Sequence, residues 1–317
     1  MTPGGDGWLR PLGRTGLEVT AVCVGGGPLG GMPAMFGEVP AERAVRLVQE
    51  VLASPIRFLD TANGYSDGES ERRIGAGIAA AGGLPADFLV ATKVDPRDGD
   101  YSGARVRASV AESRERLGID ELPLVHLHDP EFHDFAMMTA PGGAVETLVA
   151  MREAGEVGSI GLAGGDVRVM RRYLELDVFD VLLVHNRNTL VDRSADAIID
   201  QAVERGLGVL NAAVYGGGAL ARQDGPVETY GYRPAKAPVV DAIRALRELC
   251  AEYGTDLATA ALQFSLRDAR VSSTIVGITR PERLPGLMEA AAADLPQEFW
   301  DRAEALCPPS ELWLDAA

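Results

Sequence analysis

Four polar side chains at the ends of apolar runs carry the chemistry open to this sequence. Asp60 follows residues 56–59, Lys93 closes residues 88–93, His128 closes Leu124–His128, and Tyr65 lies in Thr61-Ala62-Asn63-Gly64-Tyr65. An acid and a lysine ending neighbouring apolar strands are costly to desolvate unless they pair, so Asp60 and Lys93 are expected to meet. A phenol has a reference pKa near 10, too high for a good acid at neutral pH. An ammonium about 4 Å away favours phenolate by up to roughly 4 kcal/mol at an effective dielectric of 20, against the cost of burial. The expectation is a Tyr65 hydroxyl held below the usual phenol range. Such a group gives a proton to a carbonyl oxygen, or takes one from a hydroxyl, as hydride moves at carbon. His128 could bond the same oxygen. Taken singly, each has an ordinary reading as a cap, a wall residue or a snorkelling cation. The four in order on successive strand ends point to a site.

The positioning elements are legible as alternating strands and helices. Candidate strands are residues 19–24, 56–59, 88–93, 124–128, 159–162, 181–184, 208–213 and 273–276. Helix-period segments lie between them at 41–52, 70–81, 105–117, 144–154, 194–205 and 239–253. Eight such units predict an α/β fold, a single (β/α)8 TIM barrel domain spanning residues 1–317, with active groups at the strands' C-terminal ends. A doubly wound sheet is the competing architecture. It requires a glycine-rich turn opening directly into a helix, and here Pro28 and the residues through Gly37 intervene. The long irregular stretches 27–39, 129–143 and 215–238 are expected to form binding walls.

Composition narrows the partners. With 30 Lys+Arg against 46 Asp+Glu the chain carries a net charge of −16 and no basic stripe, which argues against nucleic acid. No run approaches the ~18 apolar residues of a membrane span. Cys23, Cys250 and Cys307 are scattered, so neither a disulfide framework nor a cysteine zinc site is implied. No secretory signal opens the chain, and a soluble cytoplasmic protein, monomer or homo-oligomer, is expected.

Several segments resemble the aldo-keto reductase family over nearly the whole chain. They are Arg10-Pro11-Leu12-Gly13-Arg14-Thr15-Gly16-Leu17, Phe58-Leu59-Asp60-Thr61-Ala62-Asn63-Gly64-Tyr65, Ala91-Thr92-Lys93 and His128-Asp129-Pro130. The resemblance implies a (β/α)8 barrel with an N-terminal hairpin closing its bottom and a nicotinamide cofactor, NADP or NAD. It also implies Tyr65 as proton donor tuned by Lys93 and Asp60, with His128 orienting a small carbonyl or sugar substrate. Gly25-Gly26-Gly27-Pro28-Leu29-Gly30-Gly31, Asn186-Arg187-Asn188-Thr189-Leu190 and Thr229-Tyr230-Gly231-Tyr232 look most like the sugar dehydrogenase branch. That branch includes L-fucose (D-threo-aldose) and L-galactose dehydrogenases, and a pyridoxal dehydrogenase is similar.

By the same resemblance, Gly27, Pro28, Leu29, Asn186, Tyr215, Gly277, Thr279, Arg280 and Arg283 fall where the cofactor would bind. The Ser-Asn pair common after the fifth barrel strand is replaced around Ala163-Gly164-Gly165, and Ala212 stands where an aromatic ring usually stacks, with Tyr215 as a substitute. Arg280 and Arg283 offer either a 2′-phosphate clamp or a solvated surface. Substrate-wall candidates are Met35, Phe36, Phe132, Phe135, Tyr230, Tyr232 and Trp313. Two alternatives remain: a non-catalytic nicotinamide-binding regulatory subunit, and a metal-dependent hydrolase built on His126 and His128, which share one strand face. The hydrolase lacks a third ligand at an obvious strand end, and no metal is expected.

Overall fold

The chain opens with an antiparallel hairpin, β1 (Leu9–Pro11) and β2 (Glu18–Thr20), in the computed structural model, which describes residues 3–31 and 37–316. Apolar, β-branched runs then give β3 (Val22–Gly25), β4 (Phe58–Asp60), β5 (Leu89–Val94), β6 (Leu124–His128), β7 (Ser159–Gly164), β8 (Val181–His185) and β9 (Gly208–Ala212). A two-residue hairpin, β10 (Thr229–Tyr230) with β11 (Arg233–Pro234), precedes the last strand, β12 (Ser273–Gly277). The long strands close into a parallel barrel in the order β12-β3-β4-β5-β6-β7-β8-β9. The fold is a (β/α)8 barrel with an N-terminal hairpin and long loops on its C-terminal face.

Helices alternate with the strands and start where side chains can cap them. Ser102 accepts from the Arg105 N–H to open Gly103–Leu117, Asp166 caps Val167–Leu174, and Asp256 caps Leu257–Leu266. Each such cap contributes about 1 kcal/mol. Among the described residues no helix is long and apolar enough to cross a membrane.

Register sets what faces the barrel axis. Asp60 pairs with Ala91, Lys93 with His126, His128 with Ala163, and His185 with Ala212. Parallel partners share a face, and alternate residues along a strand return to it. The lower interior is filled by Cys23, Phe58, Leu89, Leu124, Val181, Leu210 and Ile275, with Leu12 and Val19 of the hairpin region packed beneath. The polar residues Asp60, Lys93, His128 and His185 therefore sit above an apolar plug, at the strands' C-terminal ends.

The strand expected at 19–24 divides at Ala21. Its N–H donates to Trp8 O, on the hairpin side, while its carbonyl accepts from Thr274 N, on the barrel side. The chain changes partners there, so one apolar run becomes β2 and β3. The other expected elements begin and end within two residues of those observed. Each of the long stretches carries local order, a 3-10 turn Gly27–Gly30 in the first, a short helix Phe135–Thr139 in the second and the β10–β11 hairpin in the third.

The hairpin's fit is close. Gly13 has φ of +55°, and a Cβ there would lie 2.1 Å from Gly208 N. Gly13→Ala is expected to destabilise the protein by about 2 kcal/mol or more through strain and overpacking. Chemical denaturation measures this, and an unchanged midpoint would contradict the hairpin's role as the barrel floor.

Candidate active site

Asp60 and Lys93 meet as a buried ion pair, 3% and 2% exposed. Lys93 Nζ donates to Asp60 Oδ2 at 2.7 Å, to the Thr61 carbonyl at 2.7 Å and to the Tyr65 hydroxyl oxygen at 3.3 Å. An ammonium has three protons, and all three are used. Burial alone would lower the Lys93 pKa, but Asp60 and Tyr65 together outweigh it and hold the ammonium above its ordinary range. Burial raises the Asp60 carboxyl, with Lys93 opposing.

Tyr65 departs from expectation. Its hydroxyl is raised above the usual phenol range, because burial outweighs Lys93 and the Asp60 carboxylate adds to the rise. The lysine charge lies 2.7 Å from Asp60 and 3.3 Å from the phenol, so the carboxylate cancels much of its pull on Tyr65. The phenol is neutral at rest. Its oxygen accepts from Lys93, which leaves its own proton free to donate.

His128 ends β6 with its ring edge-on to Tyr65, centroids 5.4 Å apart. Its Nδ1 lies 2.6 Å from Asp95 Oδ1, and its Nε2 lies 3.8 Å from Asp129 Oδ2. Burial works against a charged ring, but Asp95 and Asp129 outweigh it and raise the His128 pKa. Burial likewise pushes Asp129 up, yet His128, His185 and Lys93 bring it down to about 2. His126 shares the strand face but not the mouth. It is fully buried, neither ring nitrogen has a partner among the described residues, and a Cβ on Gly161 would strike the ring at Nδ1, 2.0 Å away. The two histidines therefore offer no common open ligand site. His185, contrary to expectation, does end a strand, one residue beyond the apolar run, and joins Asp129 and Glu131 with ligand atoms within 4.8 Å of one another.

The remaining candidates fall around this mouth. Gly27 lies against the Tyr65 ring, where a Cβ would be 3.6 Å away. Gly277 gives room to Pro28, whose Cγ would lie 2.9 Å from a Cβ there. Leu29 is fully buried in the core, so its side chain serves packing. Asn186 is fully buried at φ 62°, with Nδ2 3.1 Å from His185 Nδ1 and Oδ1 without a partner among the described residues. Tyr215 packs against two apolar clusters and its hydroxyl is raised by burial. Thr279 is half-buried just past β12, and Arg280 and Arg283 are exposed with no carboxylate partner among the described residues.

Of the wall candidates, Met35 and Phe36 lie outside the described residues. Phe132 and Tyr232 are exposed at the rim, 77% and 48%. Tyr230 is instead an anchor, its hydroxyl 2.7 Å from Thr189 Oγ1 and donating to Asn186 O. Phe135 packs edge-on against Tyr173, and half-buried Trp313 donates to Pro308 O within the tail. Two residues beyond it, Asp315 pairs with buried Arg187 at 3.1 Å.

The profile of the Aldo/keto reductase family matches residues 21–307. The chain belongs to this family. It is 31% identical to pyridoxal 4-dehydrogenase of Microbacterium luteolum, covering 94% of this chain and 97% of that one. It is also 31% identical to L-galactose dehydrogenase of Arabidopsis thaliana, covering 95% and 94%. The solved aldo-keto reductase AKR11C1 from Bacillus halodurans, in its holo form, superposes with a TM-score of 0.78 at 23% identity, covering 95% and 96%. The resemblance to a sugar dehydrogenase branch thus has a counterpart among curated relatives.

For an aldo-keto reductase, the most exacting local requirement here is the ion pair. Lys93→Met leaves the Asp60 carboxylate buried and unpaired, which is expected to cost about 3–5 kcal/mol. Adding Asp60→Leu is expected to recover part of that loss, since the orphaned charge is then gone. A denaturant double-mutant cycle reads both. A double variant no more stable than Lys93→Met would contradict the pairing.

Proposed function

We propose that this aldo-keto reductase family oxidoreductase interconverts the carbonyl and hydroxyl forms of an aldose or small aldehyde, with NADP or NAD as cofactor and Tyr65 as the acid–base group. The observation that carries this reading is the Tyr65 hydroxyl 3.3 Å from a buried ammonium that Asp60 holds charged. Aldo-keto reductases use nicotinamide cofactors, and the residues present fit one. The orphaned Oδ1 of Asn186 suits the amide hydrogens of a carboxamide, which the side-chain-poor Ala163-Gly164-Gly165 cannot hold through side chains. A bound nicotinamide would supply or accept the hydride. Tyr65 donates its free proton to the carbonyl oxygen in reduction; in oxidation it must first lose that proton to solvent, and the phenolate, held by the Lys93 ammonium, then takes the hydroxyl proton, while His128 orients that oxygen through Nε2.

Charge around the mouth favours a neutral substrate. Asp129 and Glu131 stand beside the site, and the wall cation Arg187 is bound to Asp315. A carboxylate or phosphate substrate would meet repulsion there. The relatives' names, a sugar dehydrogenase and a pyridoxal dehydrogenase, agree with an aldose or an uncharged aldehyde group.

Screening the purified protein with NAD and NADP against aldoses, pyridoxal and aromatic aldehydes, by absorbance of the reduced nicotinamide, tests the reaction class. Tyr65→Phe is expected to keep cofactor affinity while turnover falls at least about a hundredfold. Unchanged turnover in that variant would defeat the assignment of Tyr65. The free guanidinium groups of Arg280 and Arg283 suit a 2′-phosphate. Replacing both by Ala is expected to raise KM for NADP about tenfold, with KM for NAD nearly unchanged. Equal effects on the two cofactors would remove the phosphate from this reading.

A further inference from the structure

One carboxylate holds both His128 and the loop that carries Tyr65. Asp95 lies just past β5, with Oδ1 2.6 Å from His128 Nδ1 and Oδ2 accepting from the Gly64 N–H at 2.5 Å. Gly64 is the residue immediately before Tyr65. A Cβ on Gly64 would lie 2.8 Å from Asp95 Cγ and 3.0 Å from each carboxylate oxygen, so the loop approaches this closely only as glycine. Asp95 is itself anchored, its N–H donating to Ser109 Oγ and its carbonyl accepting from Arg105 Nε, both at 3.2 Å. The carboxylate therefore bridges the end of β6 and the loop that carries Tyr65.

We propose that Asp95 is a positioning residue for the reaction, clamping the His128 imidazole and the Tyr65 loop in one frame so that both address the same substrate oxygen. This rests on the Tyr65 reading above. The clamp has two consequences. It fixes the ring's orientation, where a misplacement of about 1 Å can cost on the order of a hundredfold in rate. It also commits Nδ1 to Asp95 as a donor, so Nε2 alone faces the mouth, and it favours the doubly protonated ring in which Nε2–H donates. The other groups facing His128 are Lys93 on β5, Asp60 on β4, Tyr65 in its loop, Asp129 after β6, and His126 below, with His185 of β8 reached through Asp129. Of these, Asp129 adds to the effect of Asp95, and Lys93 opposes it.

The test uses the full-length protein, labelled with 15N-histidine, with His128 assigned by comparison with His128→Asn. In Asp95→Asn the His128 ring is expected to titrate about one pH unit or more below the wild type. With NADPH and 4-nitrobenzaldehyde as probes, kcat is expected to fall at least about tenfold while the Kd for NADPH stays within about twofold. Gly64→Ala keeps the carboxylate but displaces it, and is expected to shift the His128 titration in the same direction. If Asp95→Asn does not fold, Gly64→Ala and the wild-type Nδ1 resonance carry the test. A wild-type Nδ1 without a hydrogen-bonded proton, or an unchanged His128 titration in a folded variant, overturns the proposal. Failure of the Tyr65 reading shows separately, as turnover that survives Tyr65→Phe.

Discussion

A charged amine enclosed beside a charged carboxylate is the constraint on which the rest of this site depends. Taking either ion out of water costs several kcal/mol, and only close geometry with every donor used offsets that cost. Lys93 satisfies the condition with three acceptors, one of them the Tyr65 oxygen. The same arrangement that makes the pair tolerable in the barrel thus orients the phenol. Because Tyr65 accepts from the ammonium, its own proton must point elsewhere, and the open direction is the mouth. One contact thus both satisfies the buried ammonium and fixes where the phenol proton points.

The pair also explains why Tyr65 is a neutral phenol at rest. A lone ammonium would pull its pKa down, but an ammonium 2.7 Å from a carboxylate acts on the phenol largely as a dipole. The field of a dipole falls faster with distance than that of a single charge, and burial then decides the outcome. Counting only the attractive partner gives the wrong sign. The resting group is a donor, which on the proposed reading suits proton delivery to a carbonyl oxygen without any prior ionisation.

Much of this was legible in the sequence for a definite reason. Asp60, Lys93 and His128 each follow an apolar run, so the period of two and the end of the strand place them at one mouth. The hairpin was legible only through the family resemblance of the opening segment, and the run at 19–24 hid the change of partner at Ala21. Asp95 was not legible. It lies past the strand, where an aspartate is an ordinary loop residue, and its meaning comes from Gly64, 31 positions away. His185 stands one residue past the apolar run at 181–184, so the run alone does not make it an obvious strand end. Tyr230, a wall candidate, is an anchor because its hydroxyl is bonded inside, and the Leu29 side chain, placed at the cofactor by the family resemblance, packs in the core.

Small residues complete the argument, since each functional side chain needs space that a neighbour must leave. Gly64 admits the Asp95 carboxylate, Gly277 admits Pro28, and Gly161 admits the His126 ring below the mouth. At each of these positions a Cβ would come within 3.0 Å of the group it faces. Their placement follows from barrel register and loop crossing, not from local turn chemistry, so a reading of single segments cannot interpret them. Replacing such a glycine would displace the group it faces without altering that group itself. The site's accuracy is therefore distributed over atoms that are absent, and its architecture depends on where the chain has no side chain as much as on where it has one.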